Sequence, residues 1–195
     1  MIALLCEDAS SRDFLKKVIP RIVQCVVKPR GYSGVGDLIN HGAKDLSAMK
    51  AMGCNRFVVC ADSDAVTGEV RRSELINRVY AKSTLSTSEK ERSCVLVAVQ
   101  EVEAWILANL SCVKKVISSW TPNDVPRSES LNNPKEQLIG MSRNARGREL
   151  YRPTEHNGRI GEIIDISVIR RCCPSFHPLE NLLLRSEGNV VRNEA

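Results

Sequence analysis

Apolar residues along this chain fall into short continuous runs separated by amphipathic stretches. Ile2 to Cys6 is apolar throughout and stops at Glu7-Asp8. Phe57-Val58-Val59-Cys60-Ala61 stops at Asp62-Ser63-Asp64, and Cys94 to Val99 stops at Gln100-Glu101-Val102-Glu103. Runs of this kind, apolar without alternation, are those of strands buried on both faces, as in a parallel sheet. Cys25-Val26-Val27 is a weaker candidate strand. Between the runs, apolar residues recur at helical spacing. Phe14, Leu15, Val18, Ile19 and Ile22 share one face of a helix over about 12–22, with Ser10 or Ser11 as N-cap and Pro20 bending or shortening its end. A second helix passes through Leu46, Met49 and Met52 and ends at Gly53. A third runs from about 69 to 81, and another carries Trp105, Ile106 and Leu107. Residues 31–36 and 83–91 read as loop. Strand and helix therefore alternate, which predicts an α/β fold: a parallel, Rossmann-like sheet of about four strands flanked by helices. Pro122, Pro126, Pro134 and Pro153 break the last third into short helical pieces. The expected organisation is a core over 1–120 and a helical carboxyl-terminal extension over 121–195 packed on the same domain.

The runs end in acid. If the strands are parallel neighbours, Glu7, Asp62, Asp64, Glu101 and Glu103 converge at the carboxyl edge of the sheet, where open α/β folds bind ligands. In extended chain, residues two apart point to the same side, so Asp62 and Asp64 repel unless a cation lies between them. Oxygen-only ligands suit Mg²⁺. For any one of these acids, an N-cap or a solvated loop residue is the commoner explanation. Their recurrence at successive strand ends, in a chain of net charge +5, weighs toward a metal site.

Composition narrows the picture further. With 195 residues and 43% apolar content the chain can bury a single-domain core. Aromatic content of 4% argues against a base-stacking platform. The eight cysteines include no C-x-x-C pair and do not cluster with His41, His156 or His177, which excludes the usual zinc patterns. Free cysteines that behave as small hydrophobes point to a reduced, cytoplasmic protein. The amino terminus lacks a basic n-region, and no apolar run approaches the length of a membrane span. Arg143, Arg146, Arg148 and Arg152 make a basic stretch interrupted by Glu149; it either tracks a nucleic-acid backbone or is a solvated loop. Trp105 reads as core, and His156, beside Asn157-Gly158, as a turn residue.

The Glu7 strand end, with Phe14-Leu15 in the next helix, and the strand ending in Asp62-Ser63-Asp64 resemble the Toprim domain of topoisomerases, primases and OLD-type nucleases. The closer likeness is to the small stand-alone Toprim-like proteins of bacteria. It is carried by Val99-Gln100-Glu101-Val102-Glu103-Ala104-Trp105-Ile106-Leu107, Asn133-Pro134-Lys135, Tyr151-Arg152 and Cys173-Pro174-Ser175-Phe176. This resemblance implies a Toprim fold and Mg²⁺- or Mn²⁺-dependent cleavage of phosphodiester bonds in DNA, RNA or tRNA. Glu7, Asp62, Asp64, Glu101 and Glu103 would hold the metal, and Lys135 would neutralise charge on the scissile phosphate. Relatives include RloB-like and abortive-infection proteins of phage defence, and several act with an ABC- or SMC-type ATPase partner. A homodimer is compatible with this reading. The chain departs from the pattern where relatives have glycine and a second acid: here stand Asp8 and Ser11, with Asp8 a candidate substitute and the number of metals, one or two, left open. The competing readings are a non-catalytic Toprim scaffold docked on an ATPase, and a nucleotidyltransferase or phosphatase built on a similar sheet.

Overall fold

The computed structural model describes residues 1–63, 66–98 and 101–185. Strands β1 (Ile2–Cys6), β2 (Val27–Gly31), β3 (Arg56–Asp62) and β4 (Ser93–Ala98) form one parallel sheet in the order β2-β1-β3-β4. Cys6 pairs with Cys60 on one side and Gly31 on the other, and Asp62 pairs with Ala98. Every residue of β1 is buried, as its unbroken apolar run requires. By contrast β2 alternates between half-buried and exposed positions and contains Pro29, both marks of an edge strand. It begins at Val27, later than the Cys25-Val26-Val27 run suggested, because pairing with β1 rather than apolarity sets its bounds.

Crossover helices connect these strands and cover both faces. One face of the sheet, with Ile2, Leu4, Cys6, Val58 and Cys60, packs under α1 (Ala9–Ile22) and α5 (Glu103–Ala108). The same core takes Leu138 of α6 (Pro134–Met141), Ile160 of α7 (Pro153–Ile163), Ile169 of α8 (Ile166–Cys172) and Leu179 of α9 (His177–Leu184). The other face, with Ala3, Leu5, Phe57, Val59 and Ala61, lies against α2 (Val35–Ala51) and α3 (Gly68–Leu75). This is a three-layer α/β/α arrangement, the predicted fold class. Trp105 is fully buried between Phe14 and Phe176, as its apolar neighbours implied.

Local differences from the sequence pattern have local causes. Asp8, rather than Ser10 or Ser11, caps α1: its Oδ1 accepts from the Ser11 amide at 2.7 Å. The third helix passes after Leu75 into a π-helical turn, Ile76–Tyr80, where the Tyr80 hydroxyl donates to the Phe57 and Cys94 carbonyls at 3.1 and 3.0 Å. Within the expected loop 83–91, a capping box at Ser86 and Glu89 starts a short α4 (Thr87–Glu91). His156 and Asn157 belong to α7, not to a turn. Pro153 occupies the first helical position, and the Arg152 amide donates to His156 Nδ1 at 3.0 Å. Close packing of α7 on α1 depends on Gly161, where an added Cβ would lie 2.7 Å from the Phe14 carbonyl oxygen. No helix among the described residues is long and apolar enough to cross a membrane.

Candidate metal centre

Strand order alone singles out one place on this sheet. From β1 the chain moves outward to β2, then returns past β1 to place β3 and β4 on its other side. The reversal lies between β1 and β3, and in open α/β sheets ligands bind beyond the carboxyl ends of the strands at such a switch point. Glu7 follows β1 directly, and its amide donates to the Cys60 carbonyl at 3.1 Å. Asp62 is the last residue of β3. Two-residue periodicity puts it on the face of Val58 and Cys60, toward α1 and α5. The topology thus brings together two acids that are 55 positions apart in the chain (62 − 7).

One oxygen from each of Glu7, Asp8 and Asp62 lies within 4.8 Å of the others. Glu7 and Asp62 are 8% and 6% exposed. Asp62 Oδ1 is fully buried and has no hydrogen-bond partner among the described residues. Its carboxyl is held well above the usual range, first by burial and then by the charges of Glu7, Cys60, Glu103 and Asp8. An unpartnered buried carboxylate is costly unless a cation completes it. The donors are all hard oxygens, so the residues present fit a metal of the Mg²⁺, Mn²⁺ or Ca²⁺ kind. This buried acidic cluster could hold a metal ion.

Asp8 and Ser11 explain each other. Ser10 and Ser11 hydroxyls donate to Asp8 Oδ1 and Oδ2 at 2.8 and 3.2 Å, and the Ser11 amide adds a third bond. Ser10 and Ser11 thus hold the Asp8 carboxylate beside Glu7 and Asp62. The amino terminus of α1 adds a favourable positive potential beside these acids.

The remaining predicted residues divide. Glu103, 2% exposed, opens α5 and is raised by burial; it contributes to the upward shift of Asp62 and so lies within electrostatic reach of it. Its Oε1 accepts from Asn157 Nδ2 at 3.0 Å and from the Tyr151 hydroxyl at 3.2 Å. Glu101 is half-buried, and its Oε2 accepts from the Lys135 amide at 2.8 Å, which fastens the start of α6. Burial, opposed by that amide and helped by Glu103, pushes Glu101 up to about 7. The Lys135 side chain is half-buried. Desolvation works against its charge, but the charges of Glu103, Asp8, Glu101 and Asp62 together raise its pKa. Asp64 lies outside the described residues.

Arg143, Arg146, Arg148 and Arg152 are all exposed. The stretch that bears most of them is an ordered hairpin. Arg143 and Glu149 form an antiparallel bridge, Gly147 takes φ +74°, and Asn144 Oδ1 accepts from the Arg146 and Arg148 amides at 2.9 and 3.1 Å. Ser142 Oγ closes its base by accepting from the Leu150 and Tyr151 amides. Arg143 and Arg152 are paired with Glu149 and Glu155 at 3.0 and 3.6 Å.

Asn157 is the site residue that sequence reasoning missed. It is fully buried, its amide meets Glu103 from 54 positions away, and no local spacing announces it. No curated protein and no solved structure gives a significant match to the chain. The family model for a domain of unknown function, DUF4276, matches residues 6–184, and the chain belongs to that family.

Proposed function

We propose that this protein is a metal-dependent nuclease that hydrolyses phosphodiester bonds, with Mg²⁺ or Mn²⁺ held by Glu7, Asp8, Asp62 and Glu103. The observation that carries this reading is the Glu7–Asp8–Asp62 cluster at the sheet's switch point, with Asp62 Oδ1 buried and unpartnered among the described residues. Asp64 and Glu101 are the next candidates to complete the ligand set, on the sequence resemblance. A bound divalent ion would supply charge stabilisation on phosphate oxygens and lower the pKa of a bound water. Lys135, whose charge the acids favour, would neutralise an oxygen of the scissile phosphate. The exposed arginines of the hairpin offer phosphate contacts without base recognition. A role as the effector of an anti-phage system, acting with an ATPase partner, extends the same reading and rests on the sequence resemblance alone.

The test is incubation of the purified chain with Mg²⁺ or Mn²⁺ and supercoiled plasmid, single-stranded DNA or total tRNA, with Asp62→Ala alongside. Cleavage that requires the metal and is lost in Asp62→Ala supports the proposal. Retention of metal-dependent cleavage in Asp62→Ala overturns the site. A chain that binds Mn²⁺ and cleaves none of these substrates overturns the nuclease reading and leaves a metal-bound scaffold.

A further inference from the structure

Glu103, 2% exposed at the start of α5, is held by two side chains from another part of the chain. The Asn157 amide donates to Glu103 Oε1 at 3.0 Å, and the Tyr151 hydroxyl lies 3.2 Å from the same oxygen. Tyr151 and Asn157 also bond to each other, so three buried groups close a ring. The hydroxyl proton of Tyr151 is shared between Asn157 Oδ1 and Glu103 Oε1, while Asn157 Nδ2 reaches Glu103 alone. The bonds from Asn157 and Tyr151 both fall on Oε1. A carboxylate gripped on one oxygen by two donors is fixed in rotation, which is how residues outside the ligand set aim a ligand at a metal.

Resting on the metal reading above, we infer that Asn157 and Tyr151 are positioning residues for Glu103: they turn its carboxylate toward the Glu7–Asp8–Asp62 cluster and set the affinity of that cluster for a divalent ion. The fold is arranged to deliver Asn157. Gly161, four residues on, allows α7 to approach the Phe14 carbonyl more closely than any side chain permits, and Gly158 lies beside Asp13. A buried polar ring of this kind is no cheaper than an apolar core of the same volume, so stability alone does not account for it. Glu103 also responds to the charges of Lys135 and Asp8. Tyr151, which ends the arginine hairpin, ties that hairpin to Glu103.

The experiment measures Mn²⁺ affinity by electron paramagnetic resonance for the wild type, Asn157→Ala and Tyr151→Phe, and repeats the Asn157→Ala comparison in a Glu103→Gln background. Circular dichroism confirms that each variant is folded. Asn157→Ala is expected to weaken Mn²⁺ binding about 10–100-fold, the usual cost of losing a residue that orients a ligand. Tyr151→Phe, which keeps the ring and the Asn157 bond to Glu103, is expected to fall between it and the wild type. In Glu103→Gln the Asn157→Ala effect should shrink to nearly nothing, because its action passes through the Glu103 carboxylate. A loss of the same size in that background identifies a general structural role and overturns the inference, as does wild-type affinity in Asn157→Ala. A wild-type chain that binds no Mn²⁺ fails differently: it removes the metal centre itself, and the positioning role with it.

Discussion

The two ends of the same sheet are built on opposite terms. At the amino-terminal edge, charges are absorbed by the fold. The terminal ammonium of Met1 donates to Asn55 Oδ1 at 3.1 Å, and Arg56 donates to the Leu183 and Arg185 carbonyls at 2.9 and 3.0 Å. That edge ties the last helix to the sheet. At the carboxyl edge the acids are concentrated, and burial and the neighbouring charges both push the Asp62 carboxyl toward its protonated form. An edge where polar groups satisfy one another is explained by folding. An edge where acids are buried together is a candidate site for a bound cation.

The sharpest way to break this comparison is Asp62→Asn. Metal affinity should fall by more than about 100-fold, beyond the loss expected for a residue that only orients a ligand. The metal-free protein should become more stable, because asparagine carries no charge to be buried or neutralised among the neighbouring acids. Calorimetry with and without Mn²⁺ measures both quantities. A metal-free variant less stable than the wild type would mean that Asp62 is a structural residue like those of the opposite edge. The matching change there, Arg56→Ala, should do the reverse: lower stability by about 1–3 kcal/mol through lost carbonyl bonds, with Mn²⁺ affinity unchanged.

Gly161→Ala probes how the carboxyl edge is assembled from a distance. The added methyl would meet the Phe14 carbonyl at 2.7 Å, and neither backbone can swing aside as a side chain would. A cost of about 1–3 kcal/mol is expected from the overpacking. Mn²⁺ affinity should fall as well, because α7 carries Asn157 away from Glu103. Chemical denaturation and metal titration of the same sample give the two numbers. A stability loss with full metal affinity would separate helix packing from the site.

How much of this was legible in the sequence follows from where each signal is stored. The apolar runs of β1, β3 and β4 announced themselves because burial on both faces leaves no room for polar residues. The short edge strand β2 was displaced because half of it faces water and Pro29 weakens the pattern. Glu7, Asp62 and Glu103 were readable as acids following such runs, since strand ends in a parallel sheet share an edge. Ser11 looked like the loss of a ligand. Only the cap geometry reveals that Ser11 holds the Asp8 carboxylate, which lies beside Glu7 and Asp62. Asn157 left no trace, because its partner lies across the fold and a single asparagine in a helix carries no period. His156 and Asn157 suggested a turn, where the proline at the first position of α7 and the packing of that helix on α1 decided otherwise.

The smallest and broadest effect is the response to pH, and it runs in opposite directions with and without metal. Burial lifts Asp62 and Glu103 above the ordinary carboxylate range and Glu101 to about 7. In the unfolded chain the same groups titrate near about 4. Between those limits the metal-free folded chain binds more protons than the unfolded chain, so its stability must fall as pH rises through that window. A metal requires the deprotonated acids, so its affinity must rise over the same window. Thermal melts from about pH 5 to about pH 8 should therefore show a metal-free midpoint that declines while the increment produced by saturating Mn²⁺ grows. If the metal-free midpoint instead rises with pH, the acids of the carboxyl edge are ion-paired in the folded state. The contrast between the two edges would then collapse into two versions of the same structural arrangement.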